Sequence, residues 1–139
     1  SGGKKRPPDK GRLQMDWSKL DWDEARYFCH TGNPSFRTYD FPLQLEELVL
    51  MFHYYGIQRF TVQDIQEFYQ KMQIPKPKSQ GFVQPLPGRI RSAAAKINSI
   101  QCAGEDLFEI VPAEIGLYLP FDSNIYRGYI ETGYRENRI

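Results

Sequence analysis

The stretch "GRIRSAAAKINSIQCAGEDLFEIV", residues 88–111, changes periodicity partway along. After the Pro87-Gly88 break, Ile90, Ala94 and Ile97 recur at three- and four-residue steps, the spacing of one helix face. The second half reads instead as two short strands, "IQC" and "LFEIV", joined by the polar turn "AGED" with Gly104 in it. The stretch therefore predicts a helix over 88–99 and a hairpin over 100–111. The two pack together, because Ile90, Ala94 and Ile97 need a cover and Leu107 and Ile110 need a partner.

Working outward, the upstream segments read as three more helices. Asp21 suits an N-cap with Glu24 at the third helical position, and Gly32-Asn33-Pro34 suits the stop, giving a helix over 22–31. Asp40 caps a second helix with Pro42 in its first turn, which runs through "LQLEELVLMFHYY" to Gly56 and buries a stripe of Leu45, Leu48, Phe52 and Tyr55. "GIQRFT" is a short extended link. Thr61 and Asp64 open a third helix with a stripe of Val62, Ile65, Tyr69 and Met72, ended by Pro75 and Pro77. A last helical turn is expected after Pro112, and the tyrosine- and glycine-rich tail to Ile139 has no clear period.

Composition bounds the function. A chain of 139 residues with 40% hydrophobic side chains builds one core rather than two. Its 18 basic and 17 acidic residues nearly cancel, so any binding of a polyanion must be local. Locally the charges do segregate. Lys4, Lys5, Arg6, Lys10 and Arg12 face only Asp9 in residues 1–15; Lys78, Arg89, Arg91 and Lys96 stand without an acid in 77–101; Glu105, Asp106, Glu109 and Glu114 stand without a base in 102–115. Cys29 and Cys102 have neither disulfide-framework nor metal-ligand spacing, which points to a reducing, intracellular setting. No apolar run approaches the roughly 20 residues of a membrane span, so no membrane partner is expected. Ser1-Gly2-Gly3 has the look of an expression scar, and the missing initiator Met suggests a piece of a larger protein.

The order of helix, extended link, capped helix, loop, helix and hairpin in "LQLEELVLMFHYYG", "RFTVQDIQEFYQKM", "GRIRSAAAKINSI" and "DLFEIVPAEIGLYL" resembles the winged helix-turn-helix family over roughly residues 41–119. The fold class so implied is mainly α with a small antiparallel β-hairpin, a winged helix-turn-helix with an N-terminal helical extension. Residues 1–15 form a flexible basic arm or linker and 16–40 the helical extension. Residues 41–119 form the winged-helix domain, and 120–139 a tail that packs on it or leads into the rest of a larger protein. The loop before the last core helix is longer than a tight helix-turn-helix allows, and Glu105-Asp106 makes the wing tip acidic.

In that family the last core helix enters the major groove, which here implies residues 88–99. Arg89, Ser92, Lys96 and Ser99 fall on an outward stripe, flanked by Arg91, Ala95 and Asn98. Arginine pairs with guanine and asparagine with adenine, each good pair discriminating by about 1–3 kcal/mol, while lysine and serine hold phosphates. Ala95 lowers the face so that its longer neighbours reach base edges. Lys76 and Lys78 either follow a phosphate backbone or belong to a plain proline-rich connector, and Lys4, Lys5 and Arg6 either track a groove or form a linker. A solvated basic helix face is the plain alternative throughout.

Chemistry is sparsely encoded. His53 lies among Leu, Phe and Tyr, where a structural histidine is expected; no nucleophile motif, phosphate-cradling glycine loop or metal-nuclease carboxylate set is present. Cys29, His30, His53 and Cys102 match no standard zinc spacing, and no cofactor or small-molecule substrate is indicated. Trp17, Trp22, Tyr27 and Phe28 read as core rather than as a base-stacking platform. The expected function is a non-enzymatic module that reads double-stranded DNA within a larger protein, such as a transcription regulator or the target-recognition part of a nuclease or mobile-element protein. The alternative is a protein-binding adaptor that uses the acidic wing and the acidic segment 16–24.

Overall fold

The computed structural model describes residues 15–31, 45–76, 80–111 and 124–136. The basic arm with Lys4, Lys5 and Arg6, the Gly32–Pro34 stop, the Asp40 cap, Lys78 and the turn expected after Pro112 lie outside these residues. The described chain is mainly helical with one small antiparallel sheet. A 3-10 turn at Trp17–Lys19 leads into α1 (Trp22–Thr31) and α2 (Leu45–Tyr54), followed by β1 (Arg59–Thr61), α3 (Val62–Met72) and α4 (Pro87–Ala95). Then come β2 (Ile100–Cys102), β3 (Leu107–Ile110), α5 (Asn124–Gly128) and a π-helical segment, Tyr129–Arg135.

Local chemistry accounts for the helix ends. The Asp21 carboxylate accepts from the N–H groups of Asp23 and Glu24 at 3.1 and 3.0 Å, capping α1. α2 closes in a Schellman motif: Gly56, at φ 81°, donates to the His53 carbonyl and Ile57 to that of Phe52. At α3 the capping box is complete, with Asp64 N–H donating to Thr61 Oγ1 at 3.0 Å and Thr61 N–H to Asp64 Oδ2 at 2.8 Å. Its C-cap, Gln73, adopts the left-handed conformation at φ 51°.

The extended link at 57–61 is more than a connector. β1 pairs antiparallel with β3, and β3 with β2, so the sheet order is β1-β3-β2. Phe60 lies opposite Phe108, and Ile100 opposite Ile110; all four are buried against the helices. On the other face Arg59 lies opposite Glu109 and donates to its carboxylate at 2.9 Å. A one-residue slip would expose the whole inward set, which fixes the register.

Two features depart from the sequence reading. α2 buries Glu47 through Phe52 without a break rather than along one stripe, because both α4 and α5 pack on it. The tail, without an evident period in sequence, supplies that second cover: Tyr126 and Ile130 are fully buried, and the Phe28 and Tyr126 rings meet edge to face at 4.9 Å. Tyr27 Oη donates to the Gly133 carbonyl at 3.1 Å, and a Cβ on Gly133 would sit 3.1 Å from that oxygen, so the close approach suits glycine.

A partly buried polar cluster around Glu24 joins α1 to the C-terminal segment of the described chain. The Glu24 carboxylate accepts from Tyr55 Oη at 2.6 Å and from both Nε and Nη2 of Arg135, at 2.5 and 3.2 Å; Tyr55 and Tyr126 hydroxyls lie 2.9 Å apart. Burial, then the neighbouring Tyr126 and the bond to Glu24, hold the Tyr55 phenol far above the usual tyrosine range, and burial does the same for Tyr126. The tryptophans complete the hydrophobic packing. Trp17 and Trp22 lie 5.1 Å apart, and Trp22 stacks on Phe68 at 6.0 Å.

Candidate nucleic-acid interface

α4 begins where two prolines and a short bridge stiffen the approach. Pro75 and Phe82 form an isolated antiparallel bridge, the Val83 N–H donates to the Ile74 carbonyl at 2.7 Å, and Gln66 Nε2 donates to the Pro85 carbonyl at 3.3 Å. Leu86 takes the N-cap position in extended conformation, as a residue before proline must, and Pro87 starts the first turn. The long link between α3 and α4 is thus pinned at its base.

At 100° per residue, Ile90 and Ala94 point into the core and pack toward α3. Gly88, Ser92 and Ala95 lie on the opposite side and are exposed. Arg89 and Lys96, both exposed, border that strip on one flank, and Arg91 borders it on the other. The smallest side chains therefore occupy the crest of the helix and the cations its shoulders. A backbone built this way can approach another surface closely while charge reaches around it.

Arg91 is engaged by the hairpin turn. Its Nε donates to Asp106 Oδ1 at 2.6 Å and its Nη2 to Oδ2 at 3.3 Å, and the Asp106 carbonyl accepts from the Val62 N–H at the start of α3, at 3.1 Å. The hydrogen bonds from Arg91, with its charge, hold the Asp106 carboxyl below the usual range, and the same pair raises the guanidinium. The turn therefore presents its own carboxylate to one shoulder of the helix.

The structure corrects the C-terminal half of the expected helix. α4 ends at Ala95, where Lys96 N–H donates to the Ala93 carbonyl and Ile97 N–H to that of Ala94, tightening the last turn. Lys96 is the C-cap, and Asn98 is exposed on the turn into β2 rather than on the helix. Ser99, expected to face outward, is buried: its carbonyl accepts from the Val111 N–H at 2.8 Å, and the sheet covers it. It drops out of the candidate surface. Lys76 is exposed at the start of the α3–α4 link.

The sequence reading missed two side chains in the segment that leads into α4. Leu86 is 66% exposed and Phe82 43%, the large apolar groups most open to solvent among the described residues. The signal was available in "GFVQPLPG": prolines spaced so closely leave few backbone options for folding an intervening apolar side chain inward.

Among the other candidates, His30 has a structural role. His30 Nε2 lies 3.0 Å from the Met72 carbonyl, tying α1 to the end of α3. Cys29 is buried and Cys102 exposed. Among the described residues no three His, Cys, Asp or Glu side chains converge as a metal site, and no helix is long and apolar enough to cross a membrane. Comparison with family models, curated proteins and solved structures gives no match to this chain.

Proposed function

We propose that this chain is a winged-helix module that binds double-stranded DNA by laying α4 in the major groove. The observation that carries the reading is the arrangement of α4 itself, with Gly88, Ser92 and Ala95 along its exposed crest and Arg89, Arg91 and Lys96 on its shoulders. A groove about 12 Å wide admits a helix most deeply where its crest is small, and the flanking cations then meet base edges and phosphates. The element order from α2 through β3 and the sheet order β1-β3-β2 support the winged-helix assignment, with the β2–β3 hairpin as the wing. Near the N-terminus of α4 Arg89 reads a base, and Lys96 at its C-cap holds a phosphate.

The test is a titration of the whole chain against a panel of duplexes at fixed salt, repeated over a salt series. Arg89→Ala is expected to lose about 1–3 kcal/mol on preferred sequences and to relax preference at one base pair; Lys96→Ala should weaken every duplex alike and make the salt dependence less steep. Absence of duplex binding at near-physiological salt, or no effect of either substitution, would overturn the reading. One observation favours a second reading, a protein-binding adaptor: the Arg91–Asp106 pair neutralises one shoulder of α4 internally, and an acidic wing suits a basic protein partner better than a phosphate backbone. Capture of a basic partner that Glu105→Gln and Asp106→Asn abolish, with no affinity for DNA, would support it.

A further inference from the structure

Leu86 accepts from the Ile90 N–H through its carbonyl at 3.1 Å, but its side chain serves neither the core nor the helix. It holds the N-cap of α4, where Ser, Thr, Asp or Asn would accept a hydrogen bond from the first turn, and makes no such bond. Nor is its side chain covered, being the most exposed large apolar group among the described residues. Its position is nevertheless fixed: Pro87 holds it extended, the Pro85 carbonyl is bonded to Gln66, and Val83 and Pro85 are buried on either side of Gln84. A leucine held outward on a rigid segment at the start of a helix is accessible to whatever α4 docks against.

What surrounds it indicates the chemistry of the occupant. From Lys76 to Gly104 the chain carries no Asp or Glu, while Lys76, Arg89, Arg91 and Lys96 of that segment are exposed. Asp106, from beyond the segment, bonds Arg91. Leu86 is the N-cap and Arg89 the third helical residue, so both belong to the N-terminal end of α4. The fitting occupant is polyanionic and offers an apolar group next to a hydrogen-bond acceptor for arginine. The major groove supplies that pairing where a pyrimidine methyl adjoins a guanine edge.

On the basis of the DNA-binding reading, we infer that Leu86 recognises the C5 methyl group of a thymine in the major groove, beside the base read by Arg89. Phe82, on the bridge that precedes it, is a second exposed apolar side chain of the same segment. Replacing thymine by uracil removes this methyl and leaves every hydrogen-bonding group in place, so it isolates the contact.

The experiment selects a preferred duplex with the whole chain, then replaces each thymidine in turn by deoxyuridine and measures affinity by fluorescence anisotropy at fixed salt. At one or two positions the wild-type chain should lose about fourfold, the worth of one buried methyl group. Leu86→Ala, checked for an unchanged melting transition, should bind the thymidine duplex about fourfold more weakly and lose the distinction between thymidine and deoxyuridine there. Wild-type binding that no replacement weakens overturns the inference, as does Leu86→Ala that still distinguishes the two bases; in both cases duplex binding itself survives. A wild-type chain that binds no duplex overturns the DNA-binding reading and this inference together, and leaves Leu86 and Phe82 to a protein partner.

Discussion

Arg91 and Asp106, on opposite sides of the β2 strand in sequence, meet in a two-pronged ion pair at 2.6 and 3.3 Å that joins α4 to the hairpin turn. Both side chains are nearly half exposed, so the pair is adjustable rather than structural. Phosphate and Asp106 then compete for one guanidinium. Asp106→Asn is expected to raise duplex affinity about two- to fivefold, the range an exposed pair supports. Glu105→Gln removes the same charge without the bond and should do less. The gain from Asp106→Asn should vanish in an Arg91→Ala background, which a double-mutant cycle of binding titrations measures.

Glu24 is the keystone of the contact between α1 and the C-terminal segment, since Tyr55 and Arg135 both donate to its carboxylate. Glu24→Ala leaves the Tyr55 hydroxyl without that acceptor and opens a cavity beside it. The expected loss is about 2–3 kcal/mol in urea unfolding. Because Glu24, Tyr55 and Arg135 are not among the residues of α4, the native fraction should keep its DNA affinity.

Alkaline pH should act on the same cluster. Tyrosines in an unfolded chain titrate near 10, whereas the Tyr55 and Tyr126 phenols are held higher in the fold by burial. Their stabilising contribution is therefore complete below about pH 10 and is lost as pH climbs toward their folded-state values, because the unfolded chain releases protons that the folded chain keeps. Urea midpoints should fall between about pH 9 and 11, and Tyr55→Phe should fall less steeply than wild type.

The two ends of α3 offer opposite substitutions. Gln73 occupies a left-handed C-cap at φ 51°, so Gln73→Gly should stabilise the fold by up to about 1 kcal/mol. Thr61→Ala breaks the capping box and should cost about 1–2 kcal/mol. Thermal melts of both against wild type test the pair.

The elements legible in the sequence are those whose ends are written in side chains. Asp21, Thr61 with Asp64, and Gly56 carry their own hydrogen-bonding reasons to start or stop a helix, and the helices follow. The hairpin over 100–111 was legible because Gly104 and the flanking apolar residues mark it, and its strands do pair. What could not be read was partnership over distance. Nothing in "GIQRFT" announces that Phe60 faces Phe108, and the period of the tail is hidden because α5 passes directly into a π-helical segment that does not repeat at the α-helical spacing. The same limit applied to the candidate surface. Helical spacing identified Arg89, Ser92 and Ala95 as outward, but continuing that spacing past Ala95 misplaced Ser99, where the chain had already turned to join the sheet.

β3 lies between β1 and β2, yet it is the last of the three to be synthesised. Arg59 waits 50 residues for Glu109, and β2 likewise has no strand partner until Leu107–Ile110 arrive. On a ribosome adding about 5–20 residues per second, that is a delay of roughly 3–10 s during which Phe60 has no sheet to join, against about 0.5–2 s for Ile100 to meet Ile110. Both strands then gain their partner from one four-residue strand. A nascent chain stalled just short of Leu107 would hold two unmated strands, and that interval is when a chaperone would find this protein.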